Sequence, residues 1–398
     1  MIRIDEAIEI IEKNTPKLGT EKVPIEKAIG RILAEDVVSD TDMPPFDRSQ
    51  MDGYAVLSHD TQTVPKKLRI IGESVAGLGF DGEIKSGEAV RIMTGARVPP
   101  GADSVQKKEL TNETNGNVTI NEVVRIGQNI VRQGDEIAKG GQVFTVGEAI
   151  TSKMIASLAA FGCSKIKVAK LPRISILATG SEIVEISETP ARDQIRNSNS
   201  IMLASFSGAV SVAKILPIAV DDQSSLASTI SNALKETDCL LISGGVSVGD
   251  YDFTKPALIS IGARIFFERV ALKPGKPTVF AKLGKKLIFG LPGNPVSVAV
   301  TYFLFVRHAL LKMQSAQKFA LRTGYARLDH DLKGAVERDS LLPVSLKISK
   351  KGKLRIKSIR FTGSSNFITF AGSEALVFVP QDTVLQKGEI AEIYLLPE

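Results

Sequence analysis

The residues of this chain best suited to chemistry are carboxylates and lysines set beside glycine turns. The run Asp238-Cys239-Leu240-Leu241-Ile242-Ser243-Gly244-Gly245-Val246-Ser247-Val248-Gly249-Asp250-Tyr251-Asp252 opens as a short apolar strand. It breaks into a glycine- and serine-containing loop and ends on two carboxylates. Glycines let backbone approach a ligand and turn N–H groups toward it. At the carboxyl end of a parallel strand such a turn is a usual seat for phosphate. Carboxylates beside a phosphate suit a hard cation such as Mg2+. A tight strand-to-helix turn with solvated acids would use the same residue types, and short glycine motifs also match by chance.

Three further loops would meet this one if the strands before them are parallel, because their carboxyl ends share one edge of a sheet. They are Ala178-Thr179-Gly180-Ser181-Glu182, Val220-Asp221-Asp222 and Leu291-Pro292-Gly293-Asn294-Pro295, the last with Ser297 in the first turn of the next helix. Pro295 suits a first helical position, and the helix start offers N–H groups and a dipole to an anion. In Arg269-Val270-Ala271-Leu272-Lys273-Pro274-Gly275-Lys276-Pro277 two lysines flank a Pro-Gly turn, so their ammonium groups can converge on one anion. Acids without histidine, joined by lysines and glycine loops, point to phosphoryl or nucleotidyl chemistry aided by Mg2+. Hydride transfer fits less well, since no Gly-x-Gly-x-x-Gly follows the first strand.

The elements that must position these loops begin at Arg173, where strands and helices alternate as in a parallel sheet. The strand candidates are Ile174–Ala178, Val212–Ala219, Cys239–Ile242, Ile265–Ala271, Thr278–Ala281 and Leu287–Gly290. The helix candidates are Asn199–Phe206, Asp222–Leu234, Thr254–Ile261 and Pro295–Met313. Upstream, Ile4, Ala7, Ile8 and Ile11 share one helical face. From Leu68 to about Glu136 short apolar alternations separated by glycine and asparagine turns read as β structure. Asp52-Gly53 is a hairpin-type turn signal next to a dense polar group, Asp47, Arg48 and Ser49. The segment from Arg327 to Pro397 reads as a small all-β barrel.

The composition sets bounds. A chain of 398 residues is expected to hold more than one domain. Net charge is +6, a mild excess that suits an anionic small substrate and, with no long basic run, does not argue for nucleic acid. Cys163 and Cys239 sit far apart in apolar settings and read as buried thiols of a reducing compartment. The histidines, His59, His308 and His330, have no zinc-ligand spacing. The charged N-terminus lacks the apolar core of a signal peptide, and the apolar run Val296 to Val306 is too short to span a bilayer. A cytoplasmic protein with no membrane partner is expected.

In these segments the chain resembles the molybdopterin molybdenumtransferases of the MoeA family, also seen as the E domain of gephyrin. The resemblance rests on Pro44-Pro45-Phe46-Asp47-x-Ser49-x-Met51-Asp52-Gly53-Tyr54-Ala55, Met93-Thr94-Gly95-Ala96 and Ser243-Gly244-Gly245-Val246-Ser247-Val248-Gly249. Lys273-Pro274-Gly275-Lys276-Pro277 and Leu291-Pro292-Gly293-Asn294-Pro295 follow in the family's order. It implies a multidomain α/β plus β fold. Residues 1–20 would form a helix packing on the α/β domain, and 21–42 with 138–170 an elongated linker domain. Residues 43–137 would form an inserted β-rich domain, 171–318 the molybdopterin-binding α/β domain, and 319–398 a C-terminal β-barrel.

The implied reaction inserts molybdate, or tungstate, into adenylylated molybdopterin with release of AMP and a requirement for Mg2+. Residue by residue, Glu182, Asp221 or Asp222, and Asp252 correspond to the acidic Mg2+ and pyrophosphate site. Lys273 and Lys276 correspond to molybdate and phosphate ligands, and Gly244, Gly245 and Ser247 to the backbone cradle. Asp52, Thr94 and Glu136 would complete the cleft from the partner subunit of a homodimer. Pro292, Gly293, Asn294 and Pro295 add the helix-start site, and Ser364 and Ser365 supply hydroxyls. The family often has a lysine where this chain has Arg269. Near Leu341-Leu342-Pro343 it commonly carries an arginine of the oxyanion site, a role Pro343 cannot fill. A molybdopterin adenylyltransferase would be the pathway partner. Two other classes stay open: a scaffold that binds the pterin without chemistry, and the adenylyltransferase itself, which normally occupies a lone α/β domain.

Overall fold

The computed structural model describes residues 1–246, 253–357, 359 and 363–397. The chain forms two compact units, one of residues Met1–Glu35, Val146–Ser152 and Lys165–Glu398, the other of Asp36–Thr145 and Lys153–Ser164.

The first unit is built on a sheet whose strands run, in spatial order, Val212–Ile215, Arg173–Ala178, Cys239–Ser243, Lys286–Leu291, Val279–Leu283 and Arg264–Phe267. The first four are parallel, as their near-continuous apolar sequences suggest for strands covered on both faces. Val279–Leu283 runs antiparallel to both of its neighbours, Lys286–Leu291 and Arg264–Phe267, which corrects the expectation of an all-parallel sheet. The cause is local. Leu283 pairs with Lys286 across a two-residue turn whose first residue, Gly284, has φ of 57°, so the chain reverses in a hairpin instead of crossing over. The Val212 strand is also shorter than the pattern implied; Pro217 follows it, and Ala219 rejoins only as a bridge to Thr179.

One face of the sheet is covered by the helices Gln223–Glu236 and Thr254–Ser260. The other is covered by Ser198–Ser207 and by a long run, Pro295–Thr301, Tyr302–Val306 and Arg307–Met313, whose middle segment is π-helical. The run Pro295–Met313 is apolar and long enough to cross a bilayer, yet it is buried as core along nearly its whole length. The helix Ile4–Asn14 buries Ala7 and Ile11 in the same core, and Glu12 meets the buried His308 at 2.9 Å.

The last part of this unit closes on itself. Asp339–Ile348 pairs with Leu354–Lys357, which pairs with Thr323–Leu328, then Ile390–Leu395, then Ala375–Val379, and that strand returns to Asp339–Ile348. Closure leaves no free edge among these five strands, and Val344, Ile356, Val377, Val379 and Ile393 fill the interior. A sixth, two-residue strand, Leu272–Lys273, joins in parallel beside Asp339 and Ser340 and ties the α/β sheet region to the barrel.

The second unit contains a sheet in the order Ser104–Lys107, Gly53–Val56, Glu88–Ile92, Lys66–Ser74, Asn117–Ile120 and Thr111–Thr114, with an apolar cluster on each face. Gly53 is not a hairpin turn. It pairs with Ile92 on one side and Lys107 on the other, and a Cβ there would lie 1.9 Å from the Gln106 carbonyl oxygen. A close backbone approach, not a reversal, requires this glycine. Cys239 is buried as expected, whereas Cys163 is only half-buried.

Candidate active site

The parallel register delivers the expected convergence. Ala178 pairs with Ser243, and Ser243 with Leu291, so the three strands end level and their loops share one edge. The loops open onto a cavity of about 1060 Å3. Its lining includes Thr179 and Glu182, Ser243 to Val246, Lys273 to Pro277, Pro292 to Pro295, Ser297, and Ser364 with Ser365.

Gly244 sits between two neighbours. Its N–H donates to the Leu291 carbonyl at 3.2 Å, and Thr179 N–H donates to the Ser243 carbonyl at 3.1 Å. Gly244 has φ of 94° and Gly245 φ of 62°, values that bulky residues rarely adopt. The barrel side is fastened to the same edge. Asn294 Nδ2 donates to Ser364 Oγ at 2.9 Å, Ser365 Oγ donates to Asn294 Oδ1 at 3.1 Å, and Val296 N–H donates to the Ser364 carbonyl at 3.0 Å. The helix start is therefore partly occupied by protein, where the sequence suggested N–H groups left for an anion.

Asn199 and Arg338 are among the lining residues not picked out from sequence. Asn199 Nδ2 donates to both Ser243 Oγ at 3.0 Å and the Gly293 carbonyl at 2.7 Å, cross-linking two of the loops. Arg338 lines the cavity because the pairing of Lys273 with Ser340 draws the residues before Asp339 beside the lysine loop. Pro343 is buried within its strand, opposite Leu376; from this part of the chain it is Arg338 that lines the cavity. Its only sequence signal was its place a few residues before the expected position.

The charge balance of the lining is one-sided. Among the described residues it holds Arg196, Lys273, Lys276 and Arg338 against one carboxylate, Glu182. Lys273, Lys276 and Arg338 have no carboxylate partner among the described residues. Lys276 and Arg338 are half-buried, and unpaired half-buried cations in a walled cavity are costly unless an anion completes them. Phe367, 49% exposed, adds an apolar surface to the same wall.

Asp221 and Asp222, expected in the metal set, make local hydrogen bonds. Asp221 accepts from Thr179 Oγ1 and Ser181 N–H, both at 2.7 Å, and Asp222 caps the helix Gln223–Glu236 by accepting from Ser225 N–H at 2.7 Å. Neither lines the cavity. Among the described residues no three His, Cys, Asp or Glu side chains form a metal cluster. Asp252 and Ser247 lie outside the described residues. Asp222→Ala is therefore expected to lower stability by about 1 kcal/mol through the lost cap, with turnover unchanged. A thermal melt beside a rate measurement checks this, since a metal ligand would lose rate instead.

In the second unit, Thr94 donates to Asp52 Oδ1 through its N–H at 2.7 Å and its hydroxyl at 2.9 Å. The Thr94 N–H, then its hydroxyl, with Lys108 nearby, hold the Asp52 carboxyl below its usual range. Glu136 faces Arg48 at 3.5 Å.

Comparison with known proteins agrees with this architecture. Residues 2–162 match the model of the MoeA N-terminal region (domain I and II), 175–312 a probable molybdopterin binding domain, and 325–396 the MoeA C-terminal region (domain IV). A molybdopterin molybdenumtransferase of Haemophilus influenzae is 33% identical, covering 96% of this chain and 95% of its own. One of Staphylococcus epidermidis is 33% identical, covering 99% and 95%. Among solved structures, a molybdopterin biosynthesis MoeA protein from Pyrococcus horikoshii OT3 superposes with a TM-score of 0.86 at 31% identity over 100% of both chains. With full-length agreement in sequence and fold, and a cation-lined cavity at the strand ends of its molybdopterin-binding domain, the chain belongs to the MoeA family, whose members include these molybdopterin molybdenumtransferases.

Proposed function

We propose that the cavity takes adenylylated molybdopterin together with molybdate, or tungstate, and that the protein inserts the metal into the dithiolene with release of AMP. The observation that carries the reading is the meeting of Lys273, Lys276 and Arg338, without carboxylate partners among the described residues, with the Gly244-Gly245 loop at one sheet edge.

The chemistry of a phosphoanhydride needs little covalent help from protein; positioning and charge stabilisation dominate. Gly244 and Gly245 bring backbone close to the phosphate. Lys273 and Lys276 neutralise the leaving nucleotide and hold the inorganic oxyanion nearby, and Arg338 offers a planar, two-pronged donor to the same anions. Asn199 keeps the Ser243 and Gly293 loops in register around them. Mg2+ bound with substrate phosphates needs one or two protein carboxylates, and Glu182 on the lining fits that demand. When present the ion would draw charge from the phosphoanhydride. Asp52 and Thr94 are kept as catalytic candidates. A homodimer and an upstream molybdopterin adenylyltransferase complete the reading.

The test is AMP release from adenylylated molybdopterin. It is expected only when molybdate and Mg2+ are both supplied. Folded protein that binds the pterin but yields no AMP under those conditions would instead be a scaffold.

A further inference from the structure

The C-terminal barrel carries a charge pattern that this chemistry does not use. Between Lys347 and Lys357 the chain has six cations (Lys347, Lys350, Lys351, Lys353, Arg355 and Lys357) and no carboxylate. The segment is a hairpin with register Ser345 to Lys357, Lys347 to Arg355 and Ile348 to Leu354. Alternation along the strands turns Leu346, Leu354 and Ile356 toward the barrel interior and leaves Lys347, Arg355 and Lys357 outside. The Leu354–Lys357 strand also pairs with Thr323–Leu328, and there Arg327 stands opposite Arg355.

Lys347, Arg355 and Arg327 therefore form one row across three adjacent strands, each about 4.8 Å from the next. Like charges placed directly opposite destabilise a sheet. The nearby compensation is small. Asp329 meets Arg355 at 3.3 Å, Arg327 donates to the Gly388 carbonyl at 2.6 Å, and Glu392 stands opposite Tyr325. At the turn, Ser349 N–H donates to the Lys353 carbonyl and Gly352 N–H to the Ser349 carbonyl, both at 2.9 Å, which leaves Lys350, Lys351 and Lys353 exposed. Tyr325 and Ile390, which are 71% and 63% exposed, stand on this outer face beside Arg327.

We propose that this outer face of the barrel is a docking surface for a partner protein with an acidic patch. Charge complementarity names the partner's sign, and the mixture of arginine, tyrosine and aliphatic side chains is that of a protein interface. A nucleic-acid site would be expected to track a backbone along a groove with successive stacking platforms. A membrane site needs a broader apolar face than Tyr325 and Ile390 offer. The surface does not rest on the reading of the cavity, since none of its residues lines it.

The experiment uses the full chain and measures fluorescence anisotropy of a labelled polyglutamate peptide. An oligothymidylate of similar length and phosphatidylserine vesicles serve as the competing classes. The peptide is expected to bind with steep salt dependence. The triple variant Lys350→Glu, Lys351→Glu and Lys353→Glu should weaken it by about tenfold or more while AMP release stays at the wild-type rate. Substituting Lys347→Gln with Arg355→Gln should weaken binding while raising, or leaving unchanged, the melting temperature, because it removes like-charge pairing. Absence of peptide binding, or binding equal in wild type and triple variant, overturns the proposal. Tighter, variant-sensitive binding of the oligonucleotide or the vesicles also overturns it, by assigning the surface to that class.

Discussion

Replacing Lys276 and Arg338 together by alanine should lower kcat/KM for adenylylated molybdopterin by about 10^3-fold or more, on the scale of losing two charge-stabilising donors from a phosphoryl-transfer site. The melting temperature should hold or rise slightly, because neither side chain has a carboxylate partner among the described residues whose loss would leave an uncompensated charge. Lys276 and Arg338 are both half-buried, whereas Lys273 is exposed. Charges screened less by water act more strongly, so Lys273→Ala alone should cost less than either of the other two. Arg338→Lys should restore part of the loss but not the two-pronged geometry. Initial rates taken separately against pterin and against molybdate would show which anion each cation holds. A variant that melts normally and turns over at the wild-type rate would remove the clamp from the mechanism.

Much of this arrangement could be read in the residues, and the remainder had definite physical reasons for being hidden. The alternation of apolar runs and helices after Arg173 and the glycine loops at strand ends are local signals, and each appeared where sequence placed it. The hairpin at Gly284 was local too, but two apolar strands in one sheet look alike whether parallel or antiparallel, and only the short turn between them decides. Arg338 was hidden for a different reason: it reaches the cavity through pairing of Lys273 with Ser340, a contact between segments far apart in sequence. Asp221 and Asp222 show the limit of residue type. An acid at a strand end can bind a cation or satisfy local donors, and residue type does not tell the two apart; here Asp221 accepts from Thr179 and Ser181, and Asp222 from Ser225. Gly53 carried a turn signature and serves a crowded strand instead.

Gly244→Ala is expected to be the most damaging single substitution at the cavity. A Cβ at this position would lie 2.4 Å from the Thr179 carbonyl oxygen, a backbone atom that cannot rotate away, and φ is 94°. Thr179 is itself fixed, since its N–H bonds Ser243 and its hydroxyl bonds Asp221. The loop must then leave its place, which also breaks the bond from Gly244 N–H to Leu291. A stability loss of about 2–4 kcal/mol follows from the strained φ and the steric clash together, with turnover lowered by about 10^2-fold or more through the misplaced cradle. Gly293→Ala is the control on the same lining. Its Cβ would meet nothing within 4 Å, and its φ lies outside the left-handed range. That variant should melt within about 0.5 kcal/mol of wild type, so any rate it loses reports on the ligand alone. If Gly244→Ala melted and turned over like Gly293→Ala, the close approach of the loop to Thr179 would not be what shapes the site.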